Sequence, residues 1–176
     1  MVEVNVIVRP VNDAPQVVGS LEKIVFDEDT VFESTGSLKN VFRDVDGDPL
    51  TYTAEFDSAK VNVDFNNDWS VRISPVRDLF GKLPIVYTAT DTGGLEAKYR
   101  TNVTVDNIND QPFLKSFAPT STKGVNLNEG EEQAFSVVAQ DNDNDPLEYT
   151  WSFDGKLQDA DGAEYDYSAD YKAAGT

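Results

Sequence analysis

The chain contains no cysteine and no histidine in 176 residues, and its 32 acidic side chains outnumber its 14 basic ones. Without cysteine there is no disulfide, no thiolate zinc site and no thiol nucleophile. Without histidine there is no Ser-His-Asp relay. The net charge of −18 repels phosphate, so nucleic acid and anionic membrane surfaces are poor partners. The sequence shows neither a run of apolar residues long enough to cross a bilayer nor a signal-peptide pattern, and no direct membrane insertion is expected. A chain without disulfides and rich in acid suits an extracellular or cell-surface setting in a prokaryote, as a secreted protein in salty surroundings.

What is present is a folding composition. Hydrophobic residues make up 39% of the chain, with ten Phe, seven Tyr and two Trp, far more than a disordered acidic tail carries. Two motifs recur. VNDAP at 11–15 is matched by INDQP at 108–112, and DVDGDPLTYTA at 44–54 by DNDNDPLEYTW at 141–151. Both pairs are offset by 97 residues (109 − 12 and 141 − 44), a domain-sized period.

Within one period the pattern is that of strands. Seven runs alternate or are rich in β-branched and aromatic residues: 17–26, 31–42, 50–56, 60–65, 69–74, 83–90 and 98–105. No helix is expected. The fold class is therefore all-β, as tandem antiparallel Greek-key sandwiches. Residues 1–10 are expected to be the last strand of a missing preceding domain, 11–107 a complete sandwich, and 108–176 a second, truncated one. Valines at 2, 4, 6 and 8 would share one face of that first strand and need a cover, which a second molecule could provide.

The D-x-D-x-D-P-L loops carry the chemistry. Alternating aspartates crowd carboxylates into a tight turn, and hard oxygens at short range suit Ca²⁺. A single such loop is more simply a solvated turn; two at one period favour a cation. The loop is not an EF-hand, because Pro49 stands where the bend needs Gly and 50–56 alternates as a strand.

VNDAP, DVDGDPLTYT, TATDTGGLEAKYRTNVTV and DNINDQP together resemble bacterial tandem cadherin-like repeats, and the second copy also resembles PKD-type domains. The resemblance implies a cadherin- or immunoglobulin-like sandwich with calcium where domains meet. Carried over residue by residue, it assigns Asn12, Asp13, Asp44, Asp46 and Asp91 to a first set of ligands. A second set is Glu28, Asp78, Asn107, Asn109, Asp110, Asp141 and Asp143. Asp48 and Asp145 are expected to shape the turns rather than ligate. Pro10 and Asn107 stand where the family linker begins with Asp, and Gln111 where it has Asn, which implies fewer ions per junction.

The function implied is that of a calcium-binding, calcium-rigidified structural or adhesive module of a larger surface or secreted protein. Its partners would be neighbouring repeats of the chain and a homophilic, cell-surface or glycan ligand. The alternative is a carbohydrate-binding accessory module of a secreted polysaccharide-degrading enzyme, gripping sugar with Tyr165, Tyr167 and Tyr171. Catalysis is not expected, because the acids lie in turns that recur once per period, and catalytic carboxylate pairs do not recur so. Trp151 and Trp69 are expected in cores, and Asn102 opens a sequon on a strand.

Overall fold

The computed structural model describes residues 3–121 and 124–170. The chain divides into two compact units, Met1–Ile108 and Asn109–Thr176.

The first unit is a two-sheet sandwich. One sheet runs in the order β2-β9-β8-β5, from Ile24–Asp27, Glu96–Asp106, Gly81–Thr90 and Thr51–Glu55. The other runs β3-β7-β6, from Phe32–Ser37, Ser70–Pro75 and Val61–Phe65. A short pairing joins β1 (Gln16–Val17) to β4 (Phe42–Arg43). The chain crosses between sheets from β5 to β6 and back from β7 to β8, so sequence neighbours end in different layers. All pairings are antiparallel except β2 on β9.

Alternation explains the layering. Val61 and Val63 of β6 and Val71 and Ile73 of β7 point inward, as do Leu83, Ile85, Tyr87 and Ala89 of β8 and Val103 and Val105 of β9. Their polar neighbours point outward, and Arg72 meets Glu33 across the β3–β7 pairing at 3.4 Å. Pro84 lacks an N–H yet sits within β8. It can, because β5 pairs only with Val86–Thr90, leaving that stretch an open edge on one side. Tyr87 is wholly buried, and its hydroxyl has no partner among the described residues. Burial, and secondarily Tyr99 beside it, pushes the phenol well above its ordinary range.

Two expected strands are interrupted. The run 31–42 breaks into β3, the four-residue helix α1 (Leu38–Val41) and β4. Ser37 caps the turn by accepting from the Lys39 N–H, and helical spacing sends both Leu38 and Val41 into the core, which a continuing strand could not do. The run 17–26 breaks between β1 and β2. There the N–H groups of Val18 and Gly19 both donate to the Val41 carbonyl. Gly19 permits this approach, since a Cβ would collide with the Asn40 carbonyl oxygen.

The expected strand over 2–8 is not formed among the described residues 3–10. Val4, Val6, Ile7 and Val8 are exposed.

In the second unit β10 (Phe113–Ala118), β11 (Glu132–Gln140) and β14 (Glu164–Ser168) form one antiparallel sheet. A hairpin pairs β12 (Ser152–Phe153) with β13 (Lys156–Leu157). Its turn is Asp154-Gly155, with φ of 48° and 73°, the left-handed pair that a two-residue hairpin demands. Residues 146–150 form no ladder, and Trp151 is not on a strand. The matching β5 of the first unit leans on β8, and no strand of that kind stands among the described residues here. Trp151 instead stacks on Tyr165 at 5.6 Å and donates from Nε1 to the Gly162 carbonyl at 2.8 Å, half-buried rather than in a core. Trp69 is likewise half-buried. It packs on the first core from a turn at φ 64°, against Tyr52 and Phe65.

Candidate metal centre

In the first unit the acidic loop follows β4 and folds around one carboxylate. Asp44 Oδ1 accepts from the backbone N–H of Asp46 at 2.9 Å and of Asp48 at 3.3 Å. Gly47, at φ 80°, lets the loop curl. The Asp44 side chain is buried, and its Oδ2 has no hydrogen-bond partner among the described residues. A buried acceptor left in this way is unfavourable by about 1–3 kcal/mol.

The entering chain closes over this loop. Asp13 donates its N–H to Asp46 Oδ2 at 2.8 Å, and Asn12 Nδ2 donates to Asp91 Oδ2 at 2.9 Å. Asp91, also buried, lies just after β8 and accepts from Leu95 N–H at 2.8 Å through Oδ1. Gly93 allows the contact, since a Cβ there would stand 2.6 Å from Asn12 Nδ2. Of the first expected set, Asn12 and Asp91 thus form one hydrogen-bonded pair, and Asp13, Asp44 and Asp46 a separate hydrogen-bonded group. Asp48 stands at its margin, its carboxylate accepting from Thr92 Oγ1 at 2.9 Å.

Desolvation raises the Asp91 carboxyl, but hydrogen bonds from Asn12 and from the N–H groups of Leu95, Gly93 and Gly94 together outweigh it and hold it below the ordinary 3.8. Asp68 is also lowered, by the hydroxyl and N–H of Ser70. A depressed folded pKa adds stability above the unfolded value and loses it as pH falls through the folded one. In chelator, the first unit is therefore expected to lose stability below about pH 4. Asp91→Asn should flatten that decline in thermal melts; an unchanged acid limb would show that Asp91 does not carry it.

The second unit repeats the loop. Asp141 is buried, and its Oδ1 accepts from the N–H of Asp143 at 2.9 Å and of Asp145 at 3.4 Å. Asn144 takes the left-handed place of Gly47, at φ 62°. Asp110 N–H donates to Asp143 Oδ2 at 2.6 Å, as Asp13 does to Asp46. Asp141, Asp143 and Asp145 each offer a carboxylate oxygen, all within 4.8 Å of one another, a group that could hold a metal ion. Asp145, expected only to shape the turn, therefore joins the candidate ligands. The D-x-D-x-D pattern contained that signal, because residues two apart around one tight bend return to the same side.

The second expected set is divided between the units. Glu28 and Asp78 lie in the first, with Asn107 exposed near its end. Glu28 is buried; its Oε1 accepts from Ile108 N–H at 2.8 Å, and its Oε2 has no partner among the described residues. Asp78 sits at φ 55°, with its N–H on Asp29 Oδ1 and its carboxylate near Arg77. Asn109, Asp110, Asp141 and Asp143 lie in the second unit, and Asn109 Nδ2 donates to the Asp110 carbonyl rather than to the loop. The strand that follows the first loop, β5, excludes the exiting helix of an EF-hand. Of the tyrosines, Tyr165 is engaged with Trp151 and Tyr167 with Phe153, at 5.6 and 4.7 Å; Tyr171 lies outside the described residues.

A two-layer sandwich with an acidic loop tied to the chain that enters it defines a class of β-sandwich domain. The family model of the cadherin-like domain matches residues 11–106, and the chain belongs to that family. A search of the curated proteins finds no match. Among solved structures, an endo-fucoidan hydrolase from glycoside hydrolase family 107 is 16% identical over 96% of this chain, with a TM-score of 0.44. The chain spans 26% of that hydrolase. The titin domains Z1Z2 in complex with telethonin are 13% identical over 89% of this chain and 81% of theirs, at a TM-score of 0.36. Tandem Ig repeats of Dlar are 11% identical over 91% of this chain and 84% of theirs, at 0.33. Among the described residues no helix is long and apolar enough to cross a membrane, which says nothing of β-barrels.

Proposed function

We propose that the chain is a calcium-binding, calcium-stiffened structural or adhesive module of a larger extracellular protein, and not an enzyme. The observation that carries this is the buried, unpartnered Oδ2 of Asp44 inside a group made only of oxygen donors and amides. The donor set fits a hard divalent cation: carboxylates, side-chain amide oxygen and backbone, with no nitrogen or sulfur ligand to favour zinc or copper. Asp44, Asp46, Asp91 and Asn12 would hold the ion in the first unit, and Asp141, Asp143 and Asp145 in the second.

The mechanical consequence follows from which segments are joined. In each unit the entering chain, at Asp13 or Asp110, is tied to the acidic loop by a hydrogen bond to one carboxylate. A cation on that loop removes the repulsion among its carboxylates and holds the entry more firmly. A segment held to the sandwich by hydrogen bonds becomes anchored to it by the ion as well. Such stiffening suits a spacer or adhesive repeat at extracellular calcium levels.

Calorimetric titration with calcium tests this. The wild-type chain is expected to bind with a heat that Asp44→Asn reduces and that Asp44→Asn with Asp141→Asn abolishes. A double variant that binds like wild type would overturn the assignment of these loops.

A further inference from the structure

One face of the first unit gathers positive charge in a chain dominated by acid. On the outward side of the β2-β9-β8-β5 sheet, Lys82 of β8 and Lys98 and Arg100 of β9 are exposed. Lys23, exposed and one residue ahead of β2, falls on the same side by alternation with buried Ile24. We propose that this sheet face binds a linear acidic polysaccharide, whose sulfate or carboxylate groups meet these four cations.

The register of the ladders sets the four together. Lys98 stands opposite Thr88, Arg100 opposite Val86, Asn102 opposite Pro84 and Lys82 opposite Thr104. β2 pairs Ile24 with Val103, so Lys23 extends that register to Asn102. Lys98 and Arg100, two residues apart on one strand, are about 7 Å apart. Among the described residues none of the four makes an ion pair. The outward side of the other sheet differs. There Arg72 lies between Glu33 and Asp64 in register, and its guanidinium is 3.4 Å from Glu33. On the basic face the acids stand at the margins: Glu96 at one end, Asp27 and Asp106 at the other, and Glu55 on the edge strand β5.

The groups between the cations point to sugar. They are hydroxyls and an amide, from Thr53, Thr104 and Asn102. The aromatics of these strands, Phe26, Tyr52, Tyr87 and Tyr99, all pack on the core. A protein partner is held by buried aromatic and large apolar anchors, which this face does not offer. A polysaccharide spaces its charges with hydroxyl-bearing rings, and here cations are spaced by hydrogen-bonding side chains. Duplex DNA, with a negative charge about every 1.7 Å, needs a denser basic surface. The net charge of −18 does not forbid the contact, because at physiological salt charges beyond about 8 Å are largely screened and the groups in contact decide.

The contact does not rest on the acidic loops, so it is measured in chelator, where the calcium reading has no bearing on it. The probes are dextran sulfate and polygalacturonate, with uncharged dextran as the control. The full chain should bind one or both acidic polymers, more weakly as salt rises, and should not bind dextran. Which polymer binds distinguishes sulfate from carboxylate as the group recognised. Lys98→Glu with Arg100→Glu should weaken binding by about tenfold or more. Arg100→Gln, which only removes a charge, should weaken it in the same direction. Lys39→Glu with Lys60→Glu changes the net charge by the same amount from elsewhere on the unit and should bind like wild type. Failure to bind either acidic polymer in chelator overturns the proposal. So does a Lys98→Glu, Arg100→Glu variant that binds like wild type, a Lys39→Glu, Lys60→Glu variant that loses as much, or displacement of the polymer by duplex DNA at equal charge. Self-association of the wild type that the Lys98→Glu, Arg100→Glu variant loses would make a second copy the occupant and overturn it as well.

Discussion

Calcium added to the chelated protein is expected to raise the melting temperature of the first unit by on the order of 10 °C. An ion present at 100 times its dissociation constant adds about 2.7 kcal/mol per site. A domain of this size shifts by about 4–8 °C per kcal/mol. The shift should be that large because the proposed ligands are held before an ion arrives: Asp44 and Asp91 are already buried, and Asn12 and Asp13 are already hydrogen-bonded. Little ordering entropy remains to oppose binding. Asp44→Asn should lose most of the shift. It keeps the Oδ1 acceptor for the Asp46 and Asp48 N–H groups, so its melt in chelator should stay near wild type. Differential scanning calorimetry with calcium and with chelator reads both. Superimposable wild-type curves would rule out an ion at this loop.

Leu38→Ala should be the most damaging of simple truncations, at about 2–5 kcal/mol, a large part of the roughly 5–15 kcal/mol that a domain possesses. Leu38 is wholly buried, on a helix of only four residues, so the backbone cannot shift along a longer element to refill the gap. The same turn joins β3 to β4. Its neighbour Val41 is equally buried, and the Val41 carbonyl takes the N–H groups of Val18 and Gly19. A cavity beneath α1 therefore loosens the β1–β4 pairing as well. Denaturant unfolding followed by tryptophan fluorescence would measure it, since Trp69 packs on the same core and its carbonyl accepts from Leu38 N–H. A loss under about 1 kcal/mol would mean that the site collapses freely and that α1 is not a fixed part of the core.

What the sequence by itself determined was periodic. The two-residue alternation in Val61–Phe65, Ser70–Pro75 and Gly81–Thr90 assigns faces without any knowledge of the partner strand, because a pleated chain sends neighbours to opposite sides. The acidic loops were legible for a similar reason: aspartates two apart around a bend, twice at one spacing, mark a concentration of oxygen donors whatever surrounds them. The tertiary structure alone decided which strands meet and which polar atoms are left unsatisfied. The helical turn at Leu38–Val41 was hidden in a strand-like sequence, because it forms only where Ser37 caps it and both layers can receive Leu38 and Val41. Residues 146–151 keep the strand-like alternation of their counterparts yet form no ladder, because a ladder belongs to two strands and cannot be read from one. Burial, likewise, is set by the surrounding chain. Asp44, with one oxygen enclosed and unpartnered, and Asp48, which reaches Thr92, look alike in the D-x-D-x-D spacing and part only in the folded chain.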